Sequence, residues 1–511
     1  MRKRRIRSGS SQLTDLLLGV DIGTASVKGT AVNSQGEVLL HSSVDLPPVR
    51  VLRNTAQFDP MEWWEAFRAL IARMRNGLDI ATIRAVCIGG QGPSLVAVDE
   101  RGNPTYDSLI WMDRRAAEEA ASVSVATKTK VDAYLLEPKM LWLKNHEPKA
   151  YDQTYKFLDA YGFISFKLTG RATAGVLRQN YTPWWSIPYW TPDHLRAVGV
   201  DIEKLPDTLV VGGVIGELSS DVSHKSGLAK GTKVVQGVTD FAHDVIGAGV
   251  VRSGLALDHG GTSEGFDLCW HKSLEDPLNR ILSTEHIVPE KWNISGLMST
   301  TGAVLRWFRD NFCSQEKNEA TRSGLDVYEI LANKASKVSA GSSGLVVLPY
   351  FAGERSPIWD PTARGLIFGL SLNHTKGHLI RAIMESVAYA LRDVKEIIEE
   401  RGGVIEEIRS VGGQSRSSLW NQIKSDVLNI PIVSLEHEST ESLGAAMIAG
   451  YGIQVFKSLV DASDRIVRVK QRFEPNPSNR RNYDTYYALY KKLYPSVRDC
   501  FGDLSDPQPE S

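Results

Sequence analysis

The chain reads as an α/β protein of two large domains. Three observations point there. Short apolar runs of strand character alternate with helical patterns along most of the chain. Its 511 residues exceed what one hydrophobic core organises. A turn bearing Gly, Thr and Ser follows an apolar run twice, once in each half of the chain.

The first such turn lies in Leu16-Leu17-Leu18-Gly19-Val20-Asp21-Ile22-Gly23-Thr24-Ala25-Ser26-Val27-Lys28. The apolar run predicts a buried strand, and a second short strand follows over 29–32. A Gly-containing turn between strands lets backbone N–H groups and hydroxyls approach a polyphosphate with no Cβ in the way. A carboxylate at the strand end can hold Mg²⁺ beside those phosphates, directly or through water. Asp21, Gly23, Thr24, Ser26 and Lys28 are therefore candidate nucleotide residues, and Asp21 is the candidate metal residue. The pattern is that of the first phosphate loop of an actin-like ATPase domain. An ordinary hairpin with a polar turn is the alternative use of the same residues. No G-x-x-x-x-G-K-[ST] loop is present. The second turn, in Leu255-Ala256-Leu257-Asp258-His259-Gly260-Gly261-Thr262-Ser263-Glu264, puts Gly261 and Thr262 in the same setting. Two such hairpins suggest a duplicated architecture, at a spacing far longer than that of a solenoid.

Composition excludes several classes. A charged fraction of 23% with 42% hydrophobic residues is that of an ordinary soluble globular protein. A net charge of -1 gives no global field for nucleic acid or an anionic membrane surface. No apolar run approaches the roughly 20 residues that a spanning helix needs. The basic start, Met1-Arg2-Lys3-Arg4-Arg5, runs into Ser and Gly. It is read as a solvated tail over 1–15 rather than a secretory signal or a nucleic-acid patch. The cysteines Cys87, Cys269, Cys313 and Cys500 are far apart with no C-x-x-C, which suits reduced thiols of a cytoplasmic enzyme.

Taken in order, 61–74 reads as a helix with a Trp63/Trp64/Phe67/Leu70/Ile71 core face. A strand over 83–88 leads into Gly89-Gly90-Gln91-Gly92-Pro93. A further strand is expected over 95–98, and helices over 134–145 and 157–168. The run 233–240 predicts a strand ending on Asp240, with a small-residue helix over 242–250 behind it. The domain boundary is placed within 249–254, giving domains 16–252 and 253–463. In the second half, 345–348 and 407–411 read as strands, and 378–400 and 418–428 as helices. The remainder, 464–511, reads as a Tyr-rich helix over 482–493 and a tail.

Asp240 is the sharpest single candidate. Phosphoryl transfer to a hydroxyl needs positioning, a Mg²⁺-neutralised phosphate and an acceptor for the hydroxyl proton. A carboxylate at a strand end, followed by small residues that leave room for a ligand, can be that acceptor. A helix N-cap is the bland alternative for the same Asp.

The segment Gly365-Leu366-Ile367-Phe368-Gly369-Leu370, followed by His378-Leu379-Ile380-Arg381-Ala382-Ile383-Met384-Glu385, resembles a signature of the FGGY carbohydrate kinase family. Tyr134 with Lys139-Met140-Leu141-Trp142-Leu143-Lys144-Asn145-His146 resembles the family's other signature, departing from it at Leu136. The Asp21 loop, Gly237-Val238-Thr239-Asp240, Ser299-Thr300-Thr301-Gly302-Ala303-Val304-Leu305-Arg306 and Val411-Gly412-Gly413-Gln414 resemble further landmarks in the family's order. Together they span about 16–487.

The resemblance implies two ribonuclease-H-like domains flanking a catalytic cleft, with ATP and Mg²⁺ as cofactors and closure that excludes water. It places Asp240 as catalytic base and Asp21 on the Mg²⁺ side. Thr24, Ser26 and Lys28 fall on one phosphate loop, and Gly261 and Thr262 on the other. Gly302 and Arg306 fall at nucleotide positions, and Gly412, Gly413 and Ser417 on the adenosine loop. On the acceptor side it implies Gln91, Gly92, Trp111, Asp113, Tyr134 and Phe241. An aromatic face such as Trp111 suits the C–H side of a sugar. Asp113 is either a hydroxyl acceptor or half of a surface ion pair. Xylulokinases carry Met-His and glycerol kinases Arg-Glu where this chain has Gly92-Pro93, and Asn or Gln where it has Phe241. Gln91, Asp113 and His243 are candidate replacements for those polar contacts. Trp184 and Trp185 read as packing.

The expected activity is ATP-dependent phosphorylation of a pentulose or related sugar, xylulokinase-like. Ribulose, erythritol, ribitol and glycerol are the other acceptors weighed. A non-catalytic sugar-binding regulatory protein and a chaperone-like ATPase are the competing classes. A homodimer is expected, with no nucleic-acid or membrane partner.

Overall fold

The computed structural model describes residues 15–128, 130–177 and 192–504. Trp184, Trp185 and the two chain ends, 1–14 and 505–511, lie outside these. The chain divides into two compact units. The first holds Met1–Gly249 and Ser439–Val467, the second Val250–Glu438 and Arg468–Ser511.

The first unit is organised by a six-stranded sheet. Leu16–Ile22 pairs antiparallel with Ser26–Asn33, which pairs antiparallel with Val38–Asp45. On its other edge Leu16–Ile22 pairs parallel with Ile83–Gly90, and that strand parallel with Lys233–Val235. Val214–Glu217 closes that edge. Every residue of Leu16–Ile22 is buried, the mark of a central strand covered on both faces. The helix Pro60–Met74 starts on the Asp59 cap, whose side chain accepts from the Met61 N–H. It buries Trp63, Trp64, Phe67, Leu70, Ile71 and Met74, each contributing about 1.5–3 kcal/mol of burial.

The second unit repeats the plan in a seven-stranded sheet. Leu255–Gly260 pairs antiparallel with Glu264–Trp270 and parallel with Glu407–Val411. Trp292–Met298 and Leu282–Glu285 extend one edge. Ile432–Leu435 and Val469–Phe473 extend the other. Numbered by order along the chain within each unit, the five central strands run third, second, first, fourth, fifth in both sheets, with the second antiparallel. This is the ribonuclease-H-like order, and it makes the duplication suggested by the two hairpins a feature of both sheets.

The sequence places 439–463 in the second domain and 464–467 in the terminal piece; the contacts build Ser439–Val467 into the first unit. The reason is close backbone approach. A Cβ at Gly247 would meet the Thr440 carbonyl oxygen at 1.9 Å, one at Gly444 the His243 carbonyl oxygen at 1.9 Å, and one at Gly19 the Ser442 carbonyl oxygen at 2.0 Å. Helix Thr440–Gly452 thus lies directly on helix Asp240–Gly247 and on strand Leu16–Ile22. Of the terminal piece read over 464–511, residues 464–467 fall in the first unit, and 468–504 pack in the second through helix Pro477–Phe501.

Three local readings are corrected. The strand expected over 233–240 ends at Val235, and the helix behind it starts at Asp240 and ends at Gly247. Phe157 and Leu158, read as helical, belong to the strand Lys156–Leu158, because they pair with Ala97 and Val96. That pairing outweighs helical periodicity, and the helix begins only after the Asp159 cap, at Ala160.

Candidate active site

In the first unit the sheet delivers four candidates to one place. Asp21 sits within the strand, one residue before its end, opposite Lys28 across the hairpin. The turn is closed by the Gly23 N–H donating to the Ser26 carbonyl at 3.0 Å. Asp21 is 2% exposed. Burial, and after it the charge of Glu441, raises its pKa well above the usual carboxylate range, with Lys28 opposing. One of its oxygens, Oδ1, is buried without a hydrogen-bond partner among the described residues. Lys28 Nζ lies 3.9 Å from Asp21 and 3.4 Å from Glu441. Burial works against that ammonium, but the two carboxylates outweigh it and hold its pKa above the ordinary value.

Thr24 and the segment after the parallel strand meet directly. The Gln91 N–H continues the ladder to the Ile22 carbonyl at 2.9 Å. The Thr24 hydroxyl donates to Gln91 Oε1 at 3.0 Å, and the Trp111 indole N–H donates to Thr24 Oγ1 at 3.1 Å. Trp111 keeps 40% of its surface exposed. The Arg114 guanidinium donates to the Trp111 carbonyl at 2.7 Å and lies 5.0 Å over the Tyr134 ring.

Asp240 is the first residue of its helix, and Thr239 holds the N-cap position without a side-chain cap bond. One of its oxygens accepts from the Phe241 N–H at 2.8 Å. Asp240 lies within electrostatic reach of both Asp21 and Asp159. Gly92 packs against Thr239 and Asp159, where a Cβ would come within 2.9 Å and 3.2 Å of them.

Two acceptor-side candidates are used inside the protein. Asp113 is fully buried and held in two prongs by Arg115, at 2.9 Å and 2.8 Å to Oδ2. It also accepts from the backbone N–H groups of Ala56 and Arg115. Both oxygens are taken, so it anchors the chain in a buried ion pair, not a surface one. His243 is likewise buried, its Nε2 accepting from the Val238 N–H at 3.2 Å. Burial pulls its pKa down to about 3, so it stands neutral.

Asp159, Lys139 and Glu441 are charged groups near these residues that sequence reasoning did not single out. Asp159 caps helix Ala160–Thr169 through Oδ1, while its Oδ2 is buried with no hydrogen-bond partner among the described residues. Burial, helped by Asp240, pushes its carboxyl up to about 8. Its only sequence signal is an Asp ahead of an apolar helix, which reads as a cap. Glu441 arrives from the returning segment, and its distance along the chain hides it.

In the second unit three pieces of backbone converge. The Thr301 and Ala303 N–H groups both donate to the Thr262 carbonyl at 3.1 Å, and Arg306 donates to Thr262 Oγ1 at 2.7 Å. A Cβ at Gly302 would lie 2.2 Å from the Gly261 carbonyl oxygen. Gly412 has φ +77°, and a Cβ there would lie 2.6 Å from the Gly260 oxygen, so both conformation and space demand Gly. Gly413 has nothing within 4 Å of a built Cβ. Ser417 caps helix Ser418–Leu428 by accepting from the Trp420 N–H at 3.3 Å. Beneath the hairpin, Lys424 bridges Asp258 at 2.7 Å and Glu264 at 2.6 Å. Gln414 donates to Glu264 at 2.7 Å and to Thr301 at 3.2 Å.

Known proteins match the chain over most of its length. Residues 16–247 match the model of the FGGY family of carbohydrate kinases, N-terminal domain, and residues 261–453 that of its C-terminal domain. The chain is 28% identical to a xylulose kinase of Bacillus subtilis over 500 residues, covering 94% of this chain and 97% of the relative. It is 27% identical to a gluconokinase of the same organism over 508 residues, covering 97% and 99%. A crystal structure of xylulose kinase from Rhodospirillum rubrum superposes with a TM-score of 0.83 at 26% identity, covering 95% of this chain and 100% of that one.

Proposed function

The chain belongs to the FGGY family of carbohydrate kinases, and we propose that it transfers the γ-phosphate of ATP to a hydroxyl of a pentulose or a related sugar, with Asp240 as the base. The observation that carries this reading is the meeting of Asp21, Thr24, Gln91 and Asp240 in one unit. A phosphate-type hairpin, an acceptor-side loop and a carboxylate are thereby gathered on one sheet.

In this reading the Asp240 carboxylate takes the proton of the attacking hydroxyl and orients its lone pair. Thr24, Ser26 and the backbone around Gly23 contact phosphate oxygens in the first unit. Gly261, Thr262 and Arg306 do so in the second, where Gly302, Gly412, Gly413 and Ser417 face the nucleoside. Trp111 and Tyr134 offer apolar ring faces to the sugar, and Gln91, Gly92 and Phe241 complete that side.

Asp21 fits a magnesium–nucleotide complex. It presents a buried oxygen with no hydrogen-bond partner among the described residues and a pKa raised by burial, a strain that a cation relieves. Among the described residues no group of three or more His, Cys, Asp or Glu is placed to hold a metal. One carboxylate with phosphates and water is the usual Mg²⁺ arrangement. The ion would neutralise phosphate charge. The acceptor is a sugar or polyol; no helix among the described residues is long and apolar enough to cross a membrane.

The test is coupled ADP release with Mg-ATP across pentuloses, pentitols, tetritols, glycerol, hexoses and gluconate. One acceptor is expected to stimulate strongly, and Asp240→Asn to lower its turnover by about 10²–10⁴-fold with the fold intact by circular dichroism. Near-full activity in that variant removes Asp240 from the role. ATP binding with no stimulation by any acceptor favours a sugar-binding regulatory protein.

A further inference from the structure

Lys139 is fully buried. A buried ammonium is costly unless its hydrogens are satisfied, and an apolar side chain of similar volume is often as stable in such a place. The acidic side chains whose field reaches it do not bond it: Asp113 is held by Arg115, and Asp159 caps a helix. Lys139 instead donates to two neutral acceptors, the Pro93 carbonyl at 3.1 Å and the Ile110 carbonyl at 2.9 Å.

Those carbonyls belong to two segments that are paired on one side of Pro93 and unpaired at it. Leu95 and Leu109 exchange both backbone hydrogen bonds, at 3.0 Å and 3.1 Å. The ladder cannot continue through Pro93, which has no N–H, and the Ile110 N–H goes to the Ala56 carbonyl at 3.2 Å. Lys139 takes over where the ladder ends. Pro93 follows Gln91 and Gly92, and Ile110 precedes Trp111. Gln91 and Trp111 then converge on the single hydroxyl of Thr24.

We propose that Lys139 is a positioning residue for the acceptor: through the Pro93 and Ile110 carbonyls it sets the separation of the two segments that bear Gln91–Gly92 and Trp111. This rests on the reading of those residues as the acceptor side. The ammonium touches neither substrate nor reacting atoms and acts through backbone. Burial pulls its pKa down to about 7 against the attraction of Asp113, as suits a cation held by dipoles more than by an ion pair.

Lys139→Met keeps the length and removes the donors. It is expected to raise the KM of the stimulating acceptor by about tenfold or more, the worth of hydrogen bonds to a charged donor. The KM of ATP and the kcat at saturating acceptor should stay within about twofold. Lys139→Gln, which retains N–H donors but reaches only one carbonyl, should give an intermediate rise. Independently of activity, hydrogen–deuterium exchange in the Met variant should quicken in peptides covering 91–95 and 108–113 and stay unchanged elsewhere in the first unit. Wild-type acceptor KM in the Gln variant overturns the proposal even if the Met variant fails to fold. So does exchange that rises throughout the unit with equal loss for ATP and acceptor, which marks a merely structural lysine. If no acceptor stimulates the wild type, the kinase reading fails, and the exchange of the two segments alone decides whether Lys139 clamps them.

Discussion

The Thr24 hydroxyl donates to Gln91 Oε1 at 3.0 Å across 67 positions of chain. With the Gln91 bonds to the Ile22 and Gly23 carbonyls, it joins the turn after Leu16–Ile22 to the segment that precedes Gly92 and Pro93. In the proposed function it couples a group on the nucleotide side to a group on the acceptor side.

That coupling has a measurable size. Thr24→Val and Gln91→Ala should each lower kcat/KM, and the double variant should lose less than the product of the two. The difference should correspond to about 0.5–3 kcal/mol, as for residues in direct contact. Strict additivity in the four-variant cycle would mean that the bond does not form in solution.

Asp159 makes stability depend on pH. Its carboxyl is near 8 in the folded chain and about 4 when unfolded. Between those values the folded state keeps a proton that the unfolded state has lost. The contribution is thus fully present below about pH 4 and declines by up to about 1.4 kcal/mol per unit as pH rises to 8. Asp159→Asn removes this dependence. Urea midpoints of both proteins, compared from about pH 5 to about pH 8, should show wild type losing ground to the variant. A constant gap would mean that the group is ionised in the folded chain.

Lys424 bridges the carboxyl groups of Asp258 and Glu264 in the second unit, all three side chains being fully buried. Burial disfavours both acids; at Asp258 the charge of Lys424 and the hydrogen bonds of Glu264, Lys424 and Ser410 together outweigh it and lower the pKa, while Glu264 is raised to about 8. Lys424→Met should cost about 3–5 kcal/mol, since it strands buried charge. Adding Asp258→Asn and Glu264→Gln should recover much of that. Denaturant unfolding of the single and triple variants is the check, and a triple no more stable than the single would contradict the assignment.

Gly444→Ala should destabilise the first unit by about 1–3 kcal/mol or more, the usual cost of overpacking, because its Cβ would sit 1.9 Å from the His243 oxygen. Thermal melting measures it. A Tm equal to wild type would show that helix Thr440–Gly452 does not pack as closely as described.

The central strands were legible because their chemistry is local. Leu16–Ile22 and Leu255–Gly260 announce themselves by an apolar run leading into Gly and Thr. Where an element is decided by a partner, local reading fails. Phe157 and Leu158 are strand only because Val96 and Ala97 lie alongside. Asp113 loses its freedom because Arg115 and the Ala56 N–H, 57 positions away, take its oxygens.

By itself the sequence determined the α/β class, the duplication, the two phosphate-type hairpins and the resemblance to carbohydrate kinases, all carried by residue types at fixed short spacings. The tertiary structure decided what charge and distance do with them. It brought Glu441 to Lys28 from 413 residues away, wove Ser439–Val467 into the first unit, buried Asp159 beside Gly92, and set Lys139 under two carbonyls. Such relationships depend on which distant groups share a low-dielectric interior, and periodicity along the chain carries no information about that.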